Sequence, residues 1–164
     1  MLLSNHRSGS RRSLSLVDPR PILLVIGVLL VMLGAAMMIP AIVDTIFEHD
    51  NSWIFARSSL FTMSTGAFLF LATRGSGGGL NTRQAFIMTV SVWVALSAFG
   101  ALPFYWSNIT SSYTDAFFES ISGLTTTGST VLTGLDDMPP GILLWRAILQ
   151  WLGGLGIIVM AVSV

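Results

Sequence analysis

Four apolar runs set the rhythm of the chain: Ile22 to Val43, Trp53 to Thr73, Gln84 to Trp106 and Gly141 to Val164. Short polar stretches separate them. A helix rises 1.5 Å per residue, so the first run extends about 33 Å, enough to cross a hydrocarbon core roughly 30 Å thick. Pro21 opens that run at a position suited to proline, and Pro40 is expected to break the helix near its end. Gly27, Gly34, Ala35 and Ala36 offer a small-residue face for close helix packing. Trp53, Tyr105 and Trp106 stand at run ends, where amphipathic rings favour the membrane boundary. Arg57 lies one turn inside the second run and is expected to snorkel as an anchor. Pro103 lies near the end of the third run. In the fourth, Gly153, Gly154 and Gly156 predict tight packing against a neighbour, with a hinge as the competing reading.

One stretch interrupts the rhythm: Tyr113 to Thr130, YTDAFFESISGLTTTGST. Its first part, Thr114 to Ser122, predicts a helix of about 14 Å, half a bilayer. Asp115 suits the helix N-terminus, Phe117, Phe118 and Ile121 can pack on flanking spans, and Gly123 is expected to end the helix. The hydroxyl-rich segment Leu124 to Thr130 follows, then a loop to Pro140 that carries Asp136 and Asp137. Polar, non-helical backbone between two spans survives at membrane depth only where protein buries it or water reaches it.

Composition sharpens the class. Of 164 residues, 52% are hydrophobic and 10% charged, against about one quarter charged in soluble chains. Eight arginines balance eight acids, so nothing points to nucleic acid. Cysteine is absent, which excludes disulfides and thiolate metal sites, and His6 and His49 fall outside the apolar runs. No nucleophile–base pair, paired aspartates or metal-ligand cluster appears in the spans, so an intramembrane enzyme has no support. The GSGGG turn between Arg74 and Arg83 lacks the strand and GK[ST] of a phosphate loop.

Arginines also orient the spans. The tail 1–20 carries Arg7, Arg11, Arg12 and Arg20, and the 74–83 turn carries two more, whereas 44–52 and 104–140 carry none. The positive-inside rule puts the N-terminus and the 74–83 turn in the cytoplasm. The Tyr113–Thr130 stretch then enters from the outer face, and the partly negative C-terminus of its helix points toward the membrane centre, where it favours a cation. A cation sheds water only if several oxygens replace it. Carbonyl rings do so in potassium filters, and one loop is then one of about four. Gly128 can take the positive φ that aligned carbonyls require, and the threonine hydroxyls are further ligands. A plain hydroxyl-rich outer loop with a glycine turn is the competing reading.

The span, the short helix ESISGLTTTGST and the span opening WRAILQWLGGLGI resemble, over Asp115 to Ile157, the first repeat of the Trk/Ktr/HKT superfamily of potassium transporters. The two preceding spans resemble the extra N-terminal pair of its TrkH/TrkG branch. The resemblance implies Gly128 as the filter glycine and carbonyls of Thr126, Thr127 and Gly128, with neighbours, as ligands for potassium. It also implies three further pore repeats, a homodimer and a cytoplasmic nucleotide-binding regulatory subunit of the TrkA type. The expected fold is therefore an all-α integral membrane protein of the bacterial inner membrane. A basic tail (1–20) leads into a transmembrane helix pair (21–80) and one span–pore-helix–span repeat (81–164), with pore helix 113–123 and filter segment 124–130. The last run stops without a polar flank, as a piece of a longer protein would.

The expected site comprises Thr125, Thr126, Thr127, Gly128 and Ser129, with Thr126 and Thr127 on the potassium ion, and Glu119, Arg146 and Gln150 in support. Arg146, about one turn into the fourth span, pairs with Glu119 or Asp137 to brace the pore helix, or snorkels to the interface. Glu119 is expected to pair rather than to draw cations. Gln150, four residues from Arg146, shares its face and its candidate partners. The expected function is potassium uptake, and the alternative is a non-transporting membrane scaffold or assembly subunit.

Overall fold

A computed structural model describes residues 19–47, 52–75 and 82–162. The basic tail up to residue 18, His49, and most of the glycine-rich turn lie outside the described residues. The chain is helical: α1 Arg20–Ile46, α2 Ser52–Thr73, α3 Thr82–Gly100, α4 Leu102–Trp106, α5 Tyr113–Leu124 and α6 Pro140–Val162, with a 3₁₀ turn at Leu135–Asp137. Among the described residues four segments are long and apolar enough to cross a membrane: Arg20–Ile46, Ser52–Thr73, Arg83–Trp106 and Pro140–Ile158.

α1 is the centre of the packing, in contact with α2, α3 and α6. It is apolar along most of its length, and its buried large side chains include Ile22, Ile26, Leu30, Leu33 and Met37, with Ala41 beside them. Their spacing of three and four traces one helical face. The expected break at Pro40 does not occur, and the helix continues to Ile46 with Pro40 inside it. Proline removes one hydrogen bond, but in an apolar surround the remaining backbone groups have no better partner than the helix.

The α1–α2 pair closes through glycines. A Cβ on Gly27 would lie 2.8 Å from the Gly66 carbonyl oxygen, and one on Gly66 would lie 2.7 Å from that of Gly27. Gly34 is equally tight against Met63 and Ser59, and the Ser59 hydroxyl donates to the Gly34 carbonyl at 2.7 Å. The small face of α1 is thus the contact that lets two backbones meet.

The third run is not one unbroken helix. α3 ends at Gly100 and α4 restarts at Leu102. Pro103 has no N–H for the carbonyl of Phe99, and the Trp145 indole Nε1–H donates to the Gly100 carbonyl at 3.0 Å. Trp145 is fully buried and meets Phe55 edge to face, with centroids 6.4 Å apart. The Arg57 guanidinium lies 5.6 Å from the centroid of Trp106, a cation–π contact between α2 and α4.

Asp44 departs most from expectation. It stands at the start of the 44–52 stretch between the first two apolar runs, but it lies in the last turn of α1, fully buried. Its Oδ1 accepts the Gly141 N–H at 2.6 Å, across 97 residues of sequence, at the start of α6. A carboxylate there satisfies a donor that helix geometry leaves open and complements the helix dipole.

Candidate functional site

α5 starts at a serine. Ser112 Oγ accepts the Asp115 N–H at 3.2 Å and donates to the Asp115 carboxylate at 2.9 Å. Side-chain capping of this kind fixes the first turn. The Tyr113 hydroxyl then ties that turn to α3 by donating to the Ala98 carbonyl at 2.8 Å.

From there α5 runs beside α6 in the same direction. Glu119 meets Arg146, Gly123 faces Leu149, and Leu124 meets Gly153. Gly153 lies 13 positions beyond Pro140, the first residue of α6, or about 20 Å along the helix axis. The chain then returns to Pro140 through residues 125–139.

Gly123 does not end α5. The helix continues to Leu124, and Gly123 is a packing residue, since a Cβ there would lie 3.0 Å from the Leu149 Cβ. The stop is made by Thr126, at φ +58°. Thr126 N–H donates to the Gly123 carbonyl at 2.9 Å, and Thr127 N–H to the Ser122 carbonyl at 3.0 Å. This is the Schellman pattern, with a β-branched residue at the left-handed position that glycine usually occupies. Gly128 N–H also reaches the Ser122 carbonyl, at 3.3 Å, and Gly128 itself sits at φ +74°.

A consequence follows from peptide planarity. The N–H groups of Thr126, Thr127 and Gly128 all aim at the last carbonyls of α5. Each shares a trans peptide with the preceding residue's carbonyl, which points the opposite way. The carbonyls of Thr125, Thr126 and Thr127 therefore all face away from α5. Among the described residues Thr125 to Thr130 are all exposed.

The hydroxyls are partly engaged. Thr125 Oγ donates to the Ile121 carbonyl at 2.8 Å and lies 2.9 Å from the Thr127 hydroxyl. The Ser129 carbonyl accepts the Ser122 hydroxyl at 2.7 Å, so one of its lone pairs is already used.

Glu119 holds the far end of the segment. It is 2% exposed, and its Oε1 accepts the Thr130 hydroxyl and, at 2.8 Å, the Val131 N–H. Its Oε2 accepts from Arg146 Nε at 3.1 Å. Of the two carboxylates open to Arg146, Glu119 is the partner, and Asp137 is exposed in the 3₁₀ turn. Gln150 does not share Glu119. Its Nε2 instead lies 3.8 Å from where a Cβ on Gly128 would stand. Gly153 is packed against backbone, with its Cβ position 1.8 Å from the Leu124 carbonyl oxygen, whereas no atom comes within 4 Å of that on Gly156. Among the described residues no group of three or more His, Cys, Asp or Glu stands together. The oxygens on offer are those of backbone and hydroxyls.

The family described as TrkH, cation transport protein, matches residues 50–164. The chain belongs to the TrkH family. TrkH of Escherichia coli strain K12, a Trk system potassium uptake protein, is 42% identical over 148 residues, which cover 88% of this chain and 30% of that protein. TrkG of the same strain is 33% identical over 139 residues, 84% of this chain and 29% of its own length. The crystal structure of the potassium transporter TrkH from Vibrio parahaemolyticus superposes with a TM-score of 0.83 at 40% identity, over 88% of this chain and 31% of that one. The chain thus spans about a third of the length of these TrkH proteins. It is an all-helical membrane protein of their kind.

Two residues of this TrkH-family site escape sequence reading. Ser122 binds four residues of the following segment, Thr125, Thr127 and Gly128 through its carbonyl and Ser129 through its hydroxyl. Thr130 closes on Glu119. A signal existed: Glu119 and Ser122 are three residues apart, on one helix face, just before a run of hydroxyls.

Proposed function

We propose that this chain supplies one of about four converging pore segments of a potassium uptake pathway, with Thr125 to Ser129 as its share of the selectivity filter. The observation that carries the reading is the common direction of the Thr125, Thr126 and Thr127 carbonyls, away from α5 and onto an exposed surface. Thr126 and Thr127 are the residues placed on the ion, through oxygens that stand in for its water. α5 is about 18 Å long, too short to cross, and enters and returns from one side as a pore helix. Its C-terminal end stops about 20 Å along α6, so its dipole favours a cation near the membrane centre. The positive-inside pattern makes the side of entry the outer one, with the N-terminus in the cytoplasm of a bacterial inner-membrane protein. Glu119, Arg146 and Gln150 support the segment from behind. Further pore repeats, a second copy and a cytoplasmic nucleotide-binding subunit complete the assembly this reading calls for.

The test is Gly128→Val in the full gene, expressed in cells without potassium uptake of their own. A side chain at φ +74° is strained, so potassium-selective uptake should fail while the protein still reaches the membrane. Intact, potassium-selective uptake in that variant would overturn the proposal.

A further inference from the structure

The proposed filter belongs to α5 and α6, but its support does not end there. Glu119 grips Thr130 and Val131, and Arg146 grips Glu119. Arg146 lies five residues beyond Gly141, little more than one turn along α6. Gly141 is held by Asp44, which belongs to α1, outside the pore repeat. The junction is close-fitting: a Cβ on Gly141 would lie 2.3 to 2.5 Å from the carboxylate atoms of Asp44. Both residues are buried. A buried carboxylate is costly unless paired, so a position that merely ends a helix has little reason to hold one.

We infer that Asp44 is a positioning residue for the ion path: through it the α1–α2 pair fixes the Pro140 end of α6, and thereby the register of Arg146 on Glu119 and of the 125–131 segment. The inference rests on the proposed function and adds to it a role for the N-terminal helix pair. Asp44 touches no ion. It acts through Gly141 and Arg146. A rigid α6 transmits a displacement at Gly141 to Arg146 almost undiminished, because hydrogen bonds join each turn to the next. Loosening the junction therefore lets the carboxylate of Glu119, and the two groups it holds, shift together.

The experiment uses the full gene in cells lacking potassium uptake and reads membrane abundance, the KM for potassium and the preference for potassium over sodium. Asp44→Ala should raise KM about fivefold and lower the preference by a similar factor at normal abundance. Asp44→Asn keeps an acceptor for the Gly141 N–H and should stay within about twofold. Because Asp44 acts through Arg146, Asp44→Ala combined with Arg146→Leu should be no worse than Arg146→Leu alone. Unchanged KM and preference in Asp44→Ala, or additive losses in the double variant, would overturn the inference.

Should Asp44→Ala fail to accumulate, the pair Asp44→Cys with Gly141→Cys decides. This chain has no cysteine of its own, and a Cβ at position 141 would stand 2.4 Å from Asp44 Cγ, which puts the two Cβ positions within bridging reach. Oxidation should restore the potassium preference and reduction should lower it. Equal preference in both states counts against the inference. Failure of the underlying reading looks different: potassium-selective uptake then survives Gly128→Val, and both ideas fall together.

Discussion

Gly153→Ala is the sharpest perturbation this fold offers. A Cβ at Gly153 would sit 1.8 Å from the Leu124 carbonyl oxygen, 2.6 Å from its carbon and 3.0 Å from the Leu124 Cα. All three are backbone atoms, so no side-chain rotation relieves the overlap. Real Cβ contacts essentially never fall below 3.0 Å, so the carbonyl oxygen must withdraw by at least 1.2 Å. Overpacking of this kind costs about 1–3 kcal/mol, and more where backbone must move. Leu124 is the residue immediately before Thr125, so the displacement enters the proposed filter at its first carbonyl. If even 1.4 kcal/mol of it falls on ion binding, potassium affinity drops about tenfold. The assay is thermal unfolding in detergent together with potassium uptake in deficient cells. Two neighbours serve as controls. Gly154→Ala would bring its Cβ 3.8 Å from Thr126 Cγ2, an ordinary contact, and Gly156→Ala would meet nothing within 4 Å. Both replace a poor helix former by a good one, worth up to about 1 kcal/mol in favour of the helix. They should match or exceed the parent in stability, while Gly153→Ala falls well below it. Equal stability and uptake across all three would refute the packing argument.

Two further outcomes follow from the same geometry. Arg146→Leu strands the Glu119 carboxylate, whose side chain is 1% exposed, and should cost about 3–5 kcal/mol of stability. Uptake should fall while membrane insertion persists, and Glu119→Gln in the same chain should recover part of the stability; unchanged uptake would remove Arg146 as a brace. Thr126→Gly relieves a β-branched residue at φ +58°, a strain of about 1–2 kcal/mol, so melting should rise while the preference for potassium over sodium weakens as the segment gains freedom. A lower melting temperature would show that Thr126 is not strained.

The helices were legible because membrane spans are written in run length, and the runs at 22–43, 53–73 and 141–164 differ from α1, α2 and α6 by only a few residues. The short polar helix was legible for the converse reason, being too short to cross. What sequence could not supply was partner choice. Gly123 precedes a hydroxyl run and has the look of a helix stop. Its role is set by Leu149 on another helix, and the stop passes to Thr126. Pro40 has the look of a break, but breaking a helix requires somewhere else for its carbonyls to bond, and the buried face of α1 has none. Arg146 had two carboxylates in reach, and only the direction of α5 relative to α6 selects Glu119. Asp44 was the most hidden, since its partner lies 97 residues away and Asp44 itself stands where the 44–52 stretch between two runs begins.

The placement of charge explains why the proposed filter can be uncharged. Conduction needs a site strong enough to replace water yet weak enough to release the ion. A free carboxylate beside it would hold a cation too firmly: at 4 Å, a pair of unit charges gains about 4 kcal/mol at an effective dielectric of 20. Glu119 is within reach of the segment, but it faces Arg146 on one oxygen and the Thr130 hydroxyl and Val131 N–H on the other. Its charge is thereby spent on position. What remains toward the exposed side is a row of carbonyl dipoles aligned by Thr126, Thr127 and Gly128, whose N–H groups are taken up by α5. On this view the ion pair and the neutral segment are one device, in which the charged groups set the geometry from behind and the dipoles in front set the affinity. Removing the charge should then change selectivity before it changes attraction.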